Sequence, residues 1–381
     1  MTADASELFP DHPWCARSQH LKWRAAQKGV LPMASGEHDF KPNSEVFSFV
    51  QEAIRNCASS YGPLKGLPEV LRSIASFQSR CNGVQIEDRQ ITLVPSATIA
   101  LALLTAALVK HGDHVLFLGT PIYYAMHTPV ASVGAEVSHC VFPKDEALAY
   151  ESIRLKIRPN TKAIYICNPH SPTGRLYDAA EMYAVGEICQ TFCLTLVSDD
   201  VYEHMTLDGN YVPAYKAHPY LRATSFVISS YAKCFNVTGV SASFLVSSPY
   251  QMELIEEFYG GPVFMTSVLS QLMVQGCVEK AEWISQLKNL LRISRDLMVE
   301  SLRTVPQVQF SLPPSGMFVW AKINHSGQES ANELLLSRCQ IEAASHVNFH
   351  YASRQYVRLN FGTHPNVLSI FGERISNLKL C

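Results

Sequence analysis

A single lysine stands in the stretch SSYAKCFNVTG, residues 229–239, directly after the apolar run FVI. Most lysines at such a junction are solvated, because an ammonium group is costly to bury without a partner. If Lys233 is buried instead, its pKa falls and the amine can act as a nucleophile or as a general base. Such a role requires other polar residues to meet Lys233 in the folded chain.

Polar residues follow several apolar runs that we predict to be strands. Runs that are nearly all apolar are typical of a sheet covered on both faces by crossover helices, which is an α/β architecture. In such sheets ligands bind beyond the carboxyl ends of the strands. The predicted strands span residues 91–97, 114–119, 136–142, 163–169, 194–200, 224–230 and 241–248. The residues at their ends read SAT at 96–98, PIY at 121–123, NPH at 168–170, DDVY at 199–202 and SSYAK at 229–233.

These strand-end residues could together bind a phosphorylated pyridine aldehyde. Lys233 would form an imine with the aldehyde, and the carboxylate of Asp199 would keep the pyridine nitrogen protonated. Asn168 and Tyr202 would hydrogen-bond the ring hydroxyl, and Tyr123 would stack on the ring. The phosphate would meet backbone N–H groups at the start of a helix, where the helix dipole favours an anion. Those groups belong to Ser96, Ala97 and Thr98.

Each of these residues alone also has a simpler explanation. Asp199 could cap a turn, Tyr123 could be a core aromatic, and Asn168 is a common type of turn residue. Their joint occurrence at the strand ends of one sheet favours a ligand site. The adjacent carboxylates of Asp199 and Asp200 point to opposite faces, because side chains alternate along a strand. Only one of the two can reach the ring.

The composition favours small-molecule chemistry. The chain has 381 residues, 47% of them hydrophobic and 17% charged, so it can bury a large core. A formal net charge of −2 gives no electrostatic reason to expect nucleic acid or an anionic membrane as a partner. Residues 1–14 lack the pattern of a secretory signal, and the apolar run 99–109 is shorter than the ~20 residues of a membrane span. Eleven cysteines without metal-ligand spacing are typical of reduced thiols, so we expect a cytoplasmic protein without a metal site.

The pattern of the chain changes near residue 265. Long amphipathic helices follow, then the strand-like runs SGMFVWAKI and YVRLNF, and then a helix from Pro365. This order predicts a second, smaller α+β domain. We place the large domain at residues 45–280 and the small domain at residues 281–381, and we assign residues 1–44 to the small domain as its N-terminal segment.

Seven motifs are spread along the chain: YGPLKGLPEVLR (61–72), VPSATIAL (94–101), TPIYY (120–124), CNPHSPTGR (167–175), VSDDVYEH (197–204), SYAKCFNVTG (230–239) and YVRLNF (356–361). Together they resemble the motifs of pyridoxal-phosphate enzymes with the aspartate aminotransferase fold, known as fold type I. The resemblance implies a mostly parallel seven-stranded sheet, pyridoxal 5′-phosphate as cofactor, and a homodimer with shared active sites. The family's spacing of an acid and a tyrosine three residues later selects Asp199 with Tyr202.

The same resemblance implies further site residues. Tyr61 would reach the phosphate bound by the neighbouring subunit, and Ser230 would contact the phosphate within its own subunit. Arg358 would bind the substrate α-carboxylate as a bidentate fork, with Gly36 and Asn168 beside the substrate.

The chain also departs from the family pattern. Ser241 stands where an arginine usually clamps the phosphate, eight residues after the lysine, so neutral donors such as Ser241 itself would have to hold that group. Ser96 replaces a common glycine, Ala232 a serine and Ser171 an asparagine. These altered motifs also resemble the cystathionine β-lyase-like branch of the fold.

We therefore expect an enzyme that acts on a free α-amino acid, with Lys233, Asp199 and Tyr202 as its catalytic residues. The leading expectation is an aminotransferase, which would also use a 2-oxo acid. The alternative is a lyase or biosynthetic tailoring enzyme that eliminates, replaces or cyclises part of the amino acid. A non-catalytic ligand sensor is the least favoured reading, because the complete catalytic set is present and no DNA-binding module is visible.

Overall fold

The structure, a computed structural model, describes residues 21–41, 44–56, 60–141, 146–240, 242–261 and 264–378. Its strands are β1 (Leu31–Pro32), β2 (Ile91–Val94), β3 (His114–Leu118), β4 (Glu136–Cys140), β5 (Thr161–Cys167), β6 (Thr195–Asp199), β7 (Phe226–Ser230), β8 (Ser243–Val246), β9 (Val308–Phe310), β10 (Phe318–Ile323), β11 (Ile341–Glu342), β12 (Ala344–Ser345) and β13 (Tyr356–Asn360). Its α-helices are α1 (Leu21–Arg24), α2 (Ser48–Arg55), α3 (Pro68–Asn82), α4 (Ala97–Leu108), α5 (Tyr124–Ser132), α6 (Glu146–Arg154), α7 (Ala179–Phe192), α8 (Ala214–Ala217), α9 (Pro219–Thr224), α10 (Pro249–Tyr259), α11 (Val268–Glu279), α12 (Trp283–Arg303), α13 (Ala331–Cys339) and α14 (Pro365–Ile375).

Strands β2 to β8 form one seven-stranded sheet in the order β2-β8-β7-β6-β5-β3-β4. Every neighbouring pair is parallel except those of β8, which runs antiparallel to both β2 and β7. This mostly parallel sheet confirms the predicted fold class. Six predicted strands contain the observed ones, whereas β5 starts at Thr161, two residues before its predicted start. Thr161 belongs to the strand because it pairs with His114 on β3, and its Oγ1 also lies 2.8 Å from Nδ1 of that histidine.

Alternate residues of the central strands enter two separate hydrophobic cores. Leu116 and Ile164 lie in one core with helices α3 and α7, and Phe117 and Tyr165 lie in the other with α4, α5 and α10. Each central strand therefore needs apolar side chains on both faces. This is why the strands appear in the sequence as nearly continuous apolar runs.

The C-terminal part forms a second sheet, which is antiparallel and has the order β12-β13-β10-β9. Helices α12 and α14 pack against each other beside it. Strand β1 pairs in parallel with β11, with Leu31 opposite Ile341, so the N-terminal segment joins this lobe. The domain bounds at residues 44 and 280 stay predictions.

Within the described ranges, no helix is both long enough and apolar enough to cross a membrane.

Lys233 lies in a turn directly after β7. The Tyr231 N–H donates to the Ala242 carbonyl at 2.9 Å, which connects the start of this turn to the residue before β8. Trp283, the first residue of α12, donates its indole N–H to the Cys234 carbonyl, also at 2.9 Å. The turn that carries Lys233 is therefore held on one side by the residue before β8, through Tyr231, and on the other by helix α12, through Cys234.

Candidate active site

The carboxyl ends of β5, β6 and β7 meet at one edge of the large sheet. Cys167 pairs with Asp199, and Asp199 pairs with Ile228, so the register fixes one row across the three strands. Strand β8 begins at this same edge because it is antiparallel, with Ser243 opposite Ser230. The fold thus brings together the strand ends that the sequence singled out.

A backbone carbonyl holds the Lys233 amine in this region. Its Nζ donates to the carbonyl oxygen of Gly36 at 2.9 Å. Burial lowers the pKa of Lys233, and the Glu37 carboxylate opposes that shift. A lowered pKa leaves more of the amine neutral near pH 7, and the neutral form is the one that acts as nucleophile or base.

Residues 34–37, which we call the anchor segment, contact Lys233 and Arg358 together. The Ala34 carbonyl accepts a hydrogen bond from Nη2 of Arg358 at 2.9 Å, and the Gly36 carbonyl accepts the one from Lys233. A Cβ atom on Gly36 would lie 3.4 Å from Nζ of Lys233 and 3.8 Å from the Tyr202 hydroxyl oxygen. The predicted substrate-binding residue Gly36 therefore borders two of the three predicted catalytic side chains.

Asn360 fixes the anchor segment in place. Its Nδ2 donates to the carbonyls of Ser35 at 2.7 Å and Glu37 at 2.6 Å, and the Asn360 side chain is fully buried. Asn360 follows Arg358 by two residues on β13, so both side chains lie on the same face of the strand. The sequence analysis missed Asn360, and alternation from Arg358 along YVRLNF was the signal that could have identified it.

Arg358 is buried between two aromatic rings. Its guanidinium carbon lies 4.0 Å from the ring centroid of Phe318 and 5.0 Å from that of Phe349. Its Nε has no hydrogen-bond partner, and no carboxylate in the described part of the chain forms an ion pair with it. A buried cation without an anionic partner is unfavourable. The arrangement therefore suits a ligand that brings a carboxylate.

Asp199 and Asp200 have opposite surroundings. Oδ1 of Asp199 is buried without a hydrogen-bond partner among the described residues. Burial raises the pKa of Asp199 to about 6, although nearby Lys233 lowers it. The Asp200 carboxylate, in contrast, accepts hydrogen bonds from the hydroxyls of Ser198 and Tyr211. Asp199 thus has an oxygen available to a ligand, whereas Asp200 serves the local structure.

Of the groups predicted to contact a cofactor ring, Asn168 and Tyr202 are buried here and Tyr123 is half-buried. Asn168 donates from Nδ2 to the Val212 carbonyl at 3.0 Å, and its buried Oδ1 has no partner among the described residues. Burial raises the pKa of both Tyr202 and Tyr123, so each stays a neutral hydroxyl that can donate a hydrogen bond. Tyr123 lines a cavity of about 610 Å³ together with Gly36 and Arg358.

The predicted phosphate cradle lies at the start of α4. Ser96 caps this helix, because its hydroxyl oxygen accepts a hydrogen bond from the Ile99 N–H at 3.1 Å. The N–H groups of Ala97 and Thr98 belong to the first turn, where a helix offers no acceptor of its own. These groups are therefore available to an anion.

The remaining predicted phosphate contacts differ in their surroundings. The Ser230 hydroxyl donates to the Ala242 carbonyl at 3.2 Å and accepts from the Ser243 hydroxyl at 3.0 Å, so it already has partners within the subunit. Tyr61 is 90% exposed, as a residue that reaches into a second subunit would be. Ser241 lies outside the described residues.

These residues fit pyridoxal phosphate. The unpaired oxygens of Asp199 and Asn168 can accept from a protonated ring nitrogen and from a ring hydroxyl, and Lys233 supplies the amine. The first turn of α4 supplies N–H donors for the phosphate.

In the ranges described, no group of histidine, cysteine, aspartate and glutamate side chains has an arrangement that could hold a metal ion.

Comparison with known proteins identifies the family. The family model of class I and II aminotransferases matches residues 28–375. The chain therefore belongs to this family and is a pyridoxal-phosphate-dependent transferase. A probable aspartate/prephenate aminotransferase of Aquifex aeolicus is 21% identical over 350 residues, which cover 90% of this chain and 89% of that protein.

Two solved structures show the same fold. The aspartate aminotransferase of Thermus thermophilus superposes with a TM-score of 0.83 at 21% identity, over 100% of both chains. A candidate β-cystathionase of Corynebacterium diphtheriae superposes with a TM-score of 0.86 at 17% identity, over 97% of this chain and 99% of that one. The resemblance to both branches is thereby confirmed for the fold, while the roles of the individual site residues stay predictions.

Replacing Asp199 should change stability in a pH-dependent way. Because its pKa is raised from that of a free aspartate to about 6, the ionised carboxylate is penalised only in the folded state. The penalty is full above about pH 6 and absent below about pH 4, and it amounts to at most about 3 kcal/mol. Asp199→Asn should therefore stabilise the cofactor-free protein at pH 7.5 by about 1–3 kcal/mol.

Urea titrations at pH 7.5 and pH 4.5 measure this effect. The gain in the free energy of unfolding should shrink at the lower pH, where wild-type Asp199 is itself largely protonated. A gain that is equal at both pH values, or a loss of stability at pH 7.5, would contradict the assigned environment of Asp199.

Proposed function

We propose that this protein is an aminotransferase that exchanges the amino group of a free α-amino acid with a 2-oxo acid, with the cofactor attached at Lys233. The observation that carries the proposal is the anchor segment, which holds a half-buried amine at the Gly36 carbonyl and, at the Ala34 carbonyl, a buried guanidinium that has no anionic partner among the described residues. An amine suits an aldehyde cofactor, and a guanidinium suits an α-carboxylate. A free amino acid offers both an amino group and a carboxylate at one carbon atom.

Pyridoxal phosphate, when bound, supplies an electron sink that stabilises negative charge on the substrate α-carbon. Lys233 would remove the proton at that carbon of the donor amino acid, because its lowered pKa leaves more of the amine neutral, and would supply a proton to the corresponding carbon when the 2-oxo acid becomes an amino acid. Arg358 would fix the carboxylate and so orient the α-carbon. Asp199 would accept a hydrogen bond at Oδ1 from the ring nitrogen, and the positive charge there would favour the ionised form of Asp199.

We also infer that the protein acts as a homodimer. An aromatic side chain that is 90% exposed, as Tyr61 is, leaves apolar surface in water that a second subunit could cover. The free thiols among the described residues are consistent with the reducing cytoplasm that the sequence suggested, and that location stays a prediction.

The reaction type is tested by incubating the holoenzyme with a panel of amino acids, with and without 2-oxoglutarate, and identifying the products by mass. Transamination predicts a new 2-oxo acid only when the acceptor is present. A product that forms without any acceptor would instead establish elimination or cyclisation, the alternative drawn from the sequence.

Attachment at Lys233 is tested by borohydride reduction of the holoenzyme, followed by proteolysis and mass mapping. The mass of the reduced cofactor should appear on the peptide that contains Lys233. Lys233→Arg should yield no adduct, because an arginine cannot form the bond, whereas the exposed control Lys162→Arg should label like the wild type. An adduct on a different lysine of the wild-type protein would rule out the assignment.

The role of Arg358 is tested by Arg358→Met, which keeps the length of the side chain and removes its charge. Loss of one partner of a buried charge pair should raise KM for the amino acid about 100-fold or more. The control substrate is the corresponding primary amine, which lacks the carboxylate and should react equally well with both proteins. An equal loss for the amine and the amino acid would assign Arg358 to the structure rather than to carboxylate binding.

A further inference from the structure

A second cavity, separate from the candidate active site, opens between the end of α3, the loop 206–213 and the start of α12. Its volume is about 760 Å³, which is in the range of small-molecule sites. None of the predicted cofactor or substrate residues that the structure describes lines it. Two lysines line it, together with polar groups from the loop and from α3: Lys216, Lys288, Asn82, Asn210 and Tyr211.

The cavity carries an excess of positive charge. The ammonium groups of Lys216 and Lys288 form no hydrogen bond or ion pair with any described residue. Among the described residues of the lining, the one carboxylate is Glu203, whose Oε1 accepts hydrogen bonds from the Ser229 hydroxyl and from Nε2 of Gln78 at 2.9 Å, and lies 3.2 Å from Nε2 of His204. Glu203 keeps its negative charge, so the two ammonium groups outnumber it by one and leave net positive charge for a ligand.

Lys288 is half-buried, which makes its lack of a partner unfavourable. Burial lowers the pKa of Lys288, and the nearby Arg292 lowers it further. A bound anion would stabilise the charged form of Lys288 and so oppose both of these shifts in its pKa. Lysines act as point charges that suit phosphate groups, whereas a planar carboxylate is better matched by arginine.

We propose that this cavity binds a small molecule bearing phosphate groups, through Lys216 and Lys288, and that its occupation is coupled to the cofactor site. The coupling element is the loop 206–213. Tyr211, which lines the cavity, donates its hydroxyl to Asp200, the neighbour of Asp199. Val212, which also lines it, accepts the hydrogen bond from Asn168 at 3.0 Å.

This geometry joins the two sites through one short loop. A ligand that contacts Asn210 and Tyr211 would restrict the loop, and with it the positions of Asn168 and Asp200. A cofactor that contacts Asn168 and Asp199 would restrict the same loop from the other side. Binding at either site should therefore strengthen binding at the other, by an equal factor.

The chain carries its own reporter for this cavity. Cys81 lines the cavity and is exposed, and Cys193 is an exposed cysteine that does not line it. Pyrophosphate is the probe, and the rate of alkylation of each cysteine in the holoenzyme is read by peptide mass mapping. At about ten times the Kd, Cys81 should react about tenfold more slowly, because only the unoccupied fraction reacts, while Cys193 keeps its rate.

The double variant Lys216→Gln, Lys288→Gln should lose the protection of Cys81, and the exposed control Lys162→Gln should keep it. Each rate with pyrophosphate is compared with the rate of the same variant without it, since burial raises the pKa of the Cys81 thiol and Lys288 opposes that rise. An alkylation rate of Cys81 that pyrophosphate does not change, or protection that persists in the double variant, would overturn the site.

The coupling is tested by measuring the Kd for pyrophosphate at Cys81 in the holoenzyme and in the cofactor-free protein. The holoenzyme should bind pyrophosphate at least about fivefold more tightly than the cofactor-free protein does. Tyr211→Phe should reduce this ratio of the two Kd values. Equal Kd values in the two forms would overturn the coupling. Because the readout is binding at Cys81, the result does not depend on which amino acid the enzyme uses.

Discussion

Two cationic side chains depend on one short stretch of backbone. The carbonyls of Ala34 and Gly36 hold the guanidinium of Arg358 and the amine of Lys233, each at 2.9 Å. These residues come from three distant parts of the chain, so the contact joins the N-terminal segment, the turn after β7 and strand β13. Asn360 makes the arrangement rigid, because it donates to two further carbonyls of the same segment.

The arrangement leaves charge and polar atoms unsatisfied. Within the described part of the chain, Nε of Arg358 and one oxygen each of Asp199 and Asn168 have no hydrogen-bond partner, and all three residues are buried. Such groups cost free energy that the rest of the fold must offset. Each one matches a complementary group on pyridoxal phosphate or on an α-amino acid. The same features that destabilise the ligand-free protein therefore favour binding of the cofactor and the substrate, as is common at functional sites.

The sequence predicted those parts of the molecule that depend on local pattern. The strands were recognised because both faces of the sheet are buried, and β5 was placed two residues late because Thr161 is polar and joins the strand through a contact with His114. Asp199 was separated from Asp200 by alternation together with the family's spacing. The aromatic pair around Arg358 could not be predicted in this way, since Phe318 and Phe349 reach it from different elements.

Long-range polar contacts account for the other features that sequence reasoning missed. Alternation places Asn360 on the same face of β13 as Arg358, but its hydrogen bonds connect residues more than 300 positions apart, and no periodicity in one sequence indicates those partners. The buried Glu203 is similar, because its partner Gln78 lies 125 positions away. The lysines of the second cavity also come from separate elements, and only the fold shows that neither of them forms an ion pair with a carboxylate of the described residues.

The central claim is that Lys233 and Arg358 act on the same α-amino acid, Lys233 at its α-carbon and Arg358 at its carboxylate. The most direct measurement is a crystal structure of the protein with a phosphopyridoxyl derivative of an amino acid, which combines cofactor and substrate in one stable molecule. The account predicts carboxylate oxygens within hydrogen-bond distance of the Arg358 guanidinium, about 2.7–3.2 Å, with the pyridine nitrogen beside Oδ1 of Asp199 and the carbon linking the two parts beside Nζ of Lys233. A carboxylate bound elsewhere, with Arg358 still turned to the Ala34 carbonyl alone, would contradict it.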